Sequence, residues 1–158
     1  MNSKLFQAIF YGYRLALFPL VKTSARLPLA QASIESAGFT SNIFKSLNNM
    51  FGMNQYKARK GKSLGAGASG FATYASPADS ILDYLYWLEA MGLTDDAALE
   101  RHLAAGKYAT DPKYFQKVTA KANELQPLLI SPTAFVAGTA AALVATAAAG
   151  IVVAKVLK

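Results

Sequence analysis

The chain has 158 residues, with 16 lysines and arginines against nine acids, one histidine and no cysteine, for a formal net charge of +7. That length holds one domain with a real core plus an appendage. The missing cysteine excludes a disulfide framework and a thiolate metal site, and the single His102 excludes a multi-histidine zinc centre and disfavours a Ser-His-Asp triad. The cations are scattered except in one loop and the aromatics fall at helical spacing, so neither a nucleic-acid partner nor a metal or other cofactor is expected.

The first predicted element is a helix from Lys4 to about Lys22. Lys4 followed by apolar residues superficially resembles a signal peptide, but Arg14 interrupts the apolar run and no small-residue cleavage site follows. A second helical segment, Leu29-Ala30-Gln31-Ala32-Ser33-Ile34-Glu35-Ser36-Ala37, carries one charge, Glu35. Burial disfavours an ionised carboxyl, so a glutamate on a partly apolar wall stays protonated near neutral pH and can pass its proton to a leaving oxygen. A glutamate at a helix end is equally a solvated or capping group. An Asn49-Met50-Phe51-Gly52 turn follows, then a basic segment from Met53 whose glycine-rich tail, Gly65 to Gly70, reads as a flexible flap; it lacks the Lys-Ser/Thr ending of a phosphate-binding loop. The segment's cations Lys57, Arg59, Lys60 and Lys62 fit either a solvated loop or a lip that meets an acidic polymer. Ser76-Pro77-Ala78-Asp79 reads as a helix N-cap with proline at the first position and an acid at the third. It opens a helix over 77–91, in which Ile81 to Leu88 repeat apolar residues at helical spacing and Trp87 is read as core. Helices over 95–105 and 111–125 follow, with His102 read as a surface residue beside Arg101.

Four blocks recur in a telling order: Ala30-Gln31 with Glu35-Ser36, Asn49 to Gly52, Tyr74 to Asp83, and Tyr108-Ala109-Thr110-Asp111-Pro112-Lys113-Tyr114. Together they resemble the bacterial peptidoglycan glucosaminidase family of flagellar-rod and autolysin-type wall hydrolases, over residues 27 to about 120. The resemblance implies a mainly α, lysozyme-like domain that cleaves β-1,4-linked amino sugars. It implies Glu35 as the general acid, Tyr108 as a second catalytic-site residue, and Asn49, Phe51 and Gly52 as the turn behind the acid, with Asn49 and Phe51 also counted among the substrate contacts. Asp79 stands where the family usually has glutamate. The chain departs from the pattern between Gly52 and Phe71, where the family's β-lobe carries a second acid: here there are four cations and no acid, so the lobe is expected to be reduced or absent. Tyr56 and Tyr74 flank the flap and are candidates to stack on a sugar ring, and Lys57 and Arg59 are candidates to meet acidic wall groups. Retaining and inverting glycosidases normally pair two carboxylates. With one acid, the substrate's N-acetyl group can serve as internal nucleophile, leading either to hydrolysis or to the anhydro product of a lytic transglycosylase. A different class also fits: a non-catalytic module that binds glycan strands or holds a membrane complex together.

No charge occurs from Gln126 to Ala154, and Phe135 to Val153 is continuously small or apolar. About 20 such residues at ~1.5 Å rise span the ~30 Å hydrocarbon core of a bilayer. The expected organisation is therefore a catalytic domain over 1–125, a linker over 126–133 containing the Ser131-Pro132 hinge, and a transmembrane helix over 134–157; a buried helix is the alternative for the last. Gly138 with Ala142 and Thr146 with Gly150 place small residues four apart, as in paired membrane helices. The expected partners are peptidoglycan strands and a lipid membrane, and the expected place is the bacterial envelope or the internal membrane of a phage virion that opens the wall during entry.

Overall fold

The computed structural model describes residues 1–55, 63–67 and 70–128. Six α-helices follow in order: α1 (Ser3–Leu17), α2 (Arg26–Glu35), α3 (Asn42–Leu47), α4 (Pro77–Ala90), α5 (Asp96–Ala104) and α6 (Tyr114–Leu125). A two-stranded sheet, β1 (Gly65–Ala66) and β2 (Ala72–Thr73), lies between α3 and α4, and a short 3-10 turn, Gln126–Leu128, ends the described chain. The protein is thus mainly α with a small sheet, as expected for a lysozyme-like domain.

α1 is capped by Asn2, whose Oδ1 accepts the Leu5 N–H at 2.8 Å. It buries Phe6, Gln7, Phe10, Tyr11 and Arg14, a stripe at helical spacing. It stops at Leu17, short of the expected Lys22, because Phe18 precedes Pro19 and a residue before proline is pushed out of the helical region; Phe18 has φ −129° and ψ 65°. α2 buries six consecutive residues, Leu27 to Ala32, so it is enclosed on all sides rather than amphipathic. Pro28 sits in its first turn, where N–H groups lack helical partners in any case. α2 packs along α6 and against α1, which in turn packs on α4.

The α4 start matches its sequence signal: the Ser76 side chain accepts the Asp79 N–H, and its hydroxyl lies 2.8 Å from Asp79 Oδ2. α4 then drives Ile81, Leu82, Tyr84, Leu85 and Leu88 into the core. There Tyr84 stacks on Phe51 at 4.0 Å between ring centroids, and Phe51 meets Phe6 from the other helix layer. Trp87, half-buried, packs against this core. α6 begins at Tyr114, not 111, because Asp111 first caps a tight turn: its Oδ1 accepts the Lys113 N–H at 2.8 Å and its carbonyl accepts the Tyr114 N–H.

Three expectations need correction. α3 stands just before the expected turn, where no helix was foreseen; it is six residues long, capped by the Ser41 hydroxyl at one end and by left-handed Asn48, φ 53°, at the other. The segment read as a flap contains paired backbone: Gly65 with Thr73, Ala66 with Ala72, and a bridge from Asn54 to Phe71. A reduced β-lobe is therefore present. His102 is buried, not on the surface, because α5 turns Leu99, His102 and Leu103 inward and the imidazole meets the Trp87 ring edge-on at 5.5 Å. Among the described residues no helix is long and apolar enough to cross a membrane; the expected hinge at Ser131-Pro132 and the helix over 134–157 lie outside them.

Candidate active site

Glu35 is the last residue of α2. The helix ends there because the chain reverses sharply: Ser36 Oγ donates to the Ala32 carbonyl and accepts the Phe39 N–H, while Ala37, Gly38 and Phe39 all take left-handed φ of 50°, 66° and 67°. Two non-glycine residues in that region mark a turn held by its surroundings. The consequence is that the Glu35 carboxyl is presented at the end of a buried helix, half-buried itself. Burial lifts its pKa above the ordinary glutamate value, and a hydrogen bond from Tyr114 partly opposes the rise.

The Asn48 to Met53 turn forms the wall beside the acid. Gly52 has φ 62°, and a Cβ placed on it would lie 2.9 Å from Glu35 Oε2. Glycine suits both the left-handed backbone and the close approach, since a side chain there would strain the φ and push on the carboxyl. The turn is tied on three sides. Asn49 Nδ2 donates to the carbonyls of Met53 and Ala72 at 2.8 and 2.9 Å, and its Oδ1 accepts the Met53 N–H. Met50 N–H donates to Ser80 Oγ on α4 at 3.1 Å. Tyr108 donates to the Phe51 carbonyl at 2.7 Å. Of the turn residues, Gly52 approaches the acid, while Asn49 and Phe51 hold the turn in place.

As substrate contacts, however, Asn49 and Phe51 are corrected: Asn49 is 0% exposed with its amide fully engaged, and Phe51 is 1% exposed within the aromatic stack. Tyr74 is corrected as well. It is 2% exposed and its hydroxyl donates to Asp83 Oδ2 at 2.6 Å, so its ring has no face for a sugar. Tyr56, Lys57 and Arg59 lie outside the described residues.

Tyr108 does come to the site. Its ring is half-buried between Trp87, edge-on at 5.3 Å, and Tyr114, stacked at 5.5 Å. Burial first, and then the neighbouring Tyr114, Tyr84, Glu35 and Tyr74 charges, push its pKa well above that of an ordinary tyrosine. It is a neutral hydrogen-bond donor, not an anion. Tyr114 is likewise held neutral, by burial and by the Glu35 charge.

Three residues that sequence reasoning passed over complete the site. Tyr84 Oη donates to Gln31 Oε1 at 2.6 Å, Gln31 Nε2 donates to Tyr114 Oη at 3.4 Å, and Tyr114 is hydrogen-bonded to Glu35. Gln31 had a local signal, since it precedes Glu35 by one helical turn, and Tyr114 closes the segment that begins with Tyr108. Tyr84 had none, being 53 residues from Gln31.

All nine acids lie among the described residues, and the other eight are engaged or placed elsewhere. Asp79 and Asp95 cap helices, Asp83 holds Tyr74, and Asp96 accepts the Ser24 N–H. Glu100, Asp111 and Glu124 pair with Arg26, Lys117 and Lys121, and Glu89 is exposed near the end of α4. Among the described residues no cluster of three His, Cys, Asp or Glu side chains could hold a metal ion. What the arrangement offers chemically is one partly desolvated carboxyl that can give up and recover a proton.

Comparison with known proteins bears on the family and the fold. Residues 20–127 match the model of the Glucosaminidase family, described as mannosyl-glycoprotein endo-beta-N-acetylglucosaminidase. A chain from a type VI secretion system effector-immunity complex of Pseudomonas protegens shares the fold, with a TM-score of 0.53 and 19% identity, over 78% of this chain and 94% of that one. No curated protein matches.

Proposed function

The chain belongs to the glucosaminidase family of glycosidases, and from that membership we propose that it cleaves β-1,4 bonds of the peptidoglycan glycan with Glu35 as sole carboxyl catalyst. The observation that carries this reading is the Glu35 carboxyl itself: half-buried at the end of α2, raised in pKa, bonded to Tyr114 and closed in by Gly52.

With no second carboxylate placed beside Glu35, the substrate supplies the nucleophile. The acetamido carbonyl oxygen of the sugar attacks its own anomeric carbon, the bond from that carbon to the bridging oxygen breaks, and the Glu35 proton passes to the departing oxygen. The products are a free hydroxyl on one sugar, an oxazolinium on the other and an ionised Glu35. Water then adds to the anomeric carbon, its proton returns to Glu35, and the acetamide re-forms. Capture by the sugar's own 6-hydroxyl in place of water gives the anhydro end, with the same proton balance. Burial makes the first step feasible near neutrality, since it disfavours the carboxylate. Because the acid must be protonated, activity falls as pH rises through the Glu35 pKa, and that alkaline limb lies above the ordinary glutamate value.

The basic Lys57, Arg59, Lys60 and Lys62 run suits acidic wall groups, and the uncharged stretch from Gln126 to Ala154 suits a membrane anchor that holds the enzyme at the envelope or in a virion membrane. The test is mass spectrometry of muropeptides released from purified sacculi by the full chain and by Glu35→Gln. New reducing or anhydro ends that vanish in the variant are expected, and they identify the bond and the product class. Sacculi left intact by a folded wild-type chain, while both proteins still bind them, would replace the enzyme by a glycan-binding module.

A further inference from the structure

We propose that Tyr84, Gln31 and Tyr114 form a one-directional hydrogen-bond relay that holds the Glu35 carboxyl in a single orientation and assigns its transferable proton to the oxygen that Tyr114 does not touch. The inference rests on Glu35 being the acid, and it adds two positioning residues, Gln31 and Tyr84, that touch neither the carboxyl nor the sugar.

The direction follows from what each group is able to do. Tyr84 is fully buried, its ring clamped between Phe51 at 4.0 Å and Trp87 at 5.3 Å, so its hydroxyl cannot swing away. It donates to Gln31 Oε1 at 2.6 Å. That bond orients the Gln31 amide, itself 0% exposed, and turns Nε2 toward Tyr114 Oη. An amide nitrogen only donates. Tyr114 Oη must therefore accept from Gln31, and its one proton is left for Glu35. The chain of donors thus begins at Tyr84 and ends on a carboxyl oxygen.

Beside the carboxyl, Gly52 leaves room for Oε2 that a Cβ would fill. The carboxyl is thus bonded to the Tyr114 hydroxyl and lies close to Gly52. A neutral Glu35 whose one oxygen accepts from Tyr114 carries its proton on the other, ready for the bridging oxygen. When that proton leaves, the Tyr114 bond tightens on the resulting anion, because charged acceptors bind donors more strongly. Each earlier donor strengthens the next in such a chain. Among the described residues the titratable groups that bear on Glu35 are Tyr114 from α6 and Tyr108 from the loop before it; both are held neutral, so the relay is the adjustable influence there.

The test measures the Glu35 pKa directly, by carbon-13 NMR of the full chain labelled at glutamate carboxyls. Four resonances are expected, one for each glutamate, and Glu35→Gln identifies its own by removing it. Tyr114→Phe should raise the Glu35 pKa by about 1 to 2 pH units, the worth of a hydrogen bond to a charged group. Tyr84→Phe, which keeps the ring and its packing, should raise it by about 0.3 pH unit through weakened cooperativity. In the double variant Tyr84→Phe has nothing left to act through, so the pKa should equal that of Tyr114→Phe alone. Gln31→Leu, with its fold checked by Tm, leaves the Tyr114 bond to Glu35 in place, so it should raise the pKa by at least as much as Tyr84→Phe and by less than Tyr114→Phe. The alkaline limb of wall cleavage should move by the same amounts, with kcat lowered about tenfold in Tyr114→Phe and KM unchanged. An unmoved pKa in Tyr84→Phe, or additive shifts in the double variant, would overturn the relay. Shifts that follow the expected pattern in a chain that cleaves no wall would keep the relay and discard the enzymatic reading.

Discussion

Gly52 is the position where backbone and chemistry make the same demand. Its φ of 62° is a conformation that costs other residues roughly 1 to 2 kcal/mol, and the missing side chain leaves space for Glu35 Oε2. Gly52→Ala is expected to lower Tm by a few degrees and to cut kcat by about 100-fold, because displacing the acid by a fraction of an ångström misaligns proton transfer. Thermal melting read beside muropeptide release separates the two effects; an alanine variant of undiminished kcat would show that the carboxyl does not depend on this close approach. Glu35 itself was legible in the sequence as an isolated charge. Tyr108 was legible through its motif, although its task is specific: it fixes the carbonyl of Phe51, the residue before Gly52. Tyr74 was misread because an aromatic beside a glycine-rich segment has the same pattern whether it faces solvent or, as here, a buried Asp83.

The helices show which local signals carry through folding. Caps did: Ser76 with Pro77 and Asp79 opens α4 where the sequence placed it, since the N-cap bond involves residues three apart and needs no distant partner. Ser76→Ala removes the hydroxyl that accepts the Asp79 N–H and is expected to cost about 1 kcal/mol, measured by urea unfolding. A change of less than a few tenths would mean that α4 is positioned by core packing alone. Ends governed by a proline were less legible. α1 stops at Leu17 because of Pro19, yet the apolar residues run on to Val21, and hydrophobic pattern hides a chain direction that φ/ψ restrictions decide. α3 was missed, and the β-lobe was left between reduced and absent, for another reason. Six residues and two-residue strands are too short to show a period; α3 is held by its Ser41 and Asn48 caps, and Asn49 ties the Met53 and Ala72 carbonyls together beside the strands.

Charge is divided unevenly along the whole chain. Residues 1–78 contain nine of the 16 cations and one acid, Glu35, whereas residues 79–158 contain eight acids. The proposed acid thus lies in a half of the sequence otherwise free of negative charge, a composition suited to an anionic polymer. Among the described residues the core closes among α1, α2, α4, α5 and α6, all before residue 126. A chain cut after Leu128 is therefore expected to stay soluble and to melt within a few degrees of the full protein, and to lose the membrane association proposed for residues 134–157. Sedimentation with lipid vesicles and a thermal melt read the two outcomes together. Aggregation of the shortened chain would mean that the last 30 residues complete the fold, and vesicle binding retained by it would move the membrane-binding surface into the helical domain.

By itself the sequence determined the helical class, the family, the isolated acid and the main caps, because each is written in residues a few positions apart. Only the tertiary structure decided what surrounds the acid. Tyr84 meets Gln31 across 53 residues and Gln31 meets Tyr114 across 83. Such pairs depend on how α2, α4 and α6 pack, and no spacing within any one of them records it. The same packing buried Asn49, Phe51, Tyr74 and His102, whose polar or aromatic character alone allowed either side of the surface. A short-range hydrogen bond can be read from its own segment, whereas the burial of a side chain is set by whichever distant elements close over it.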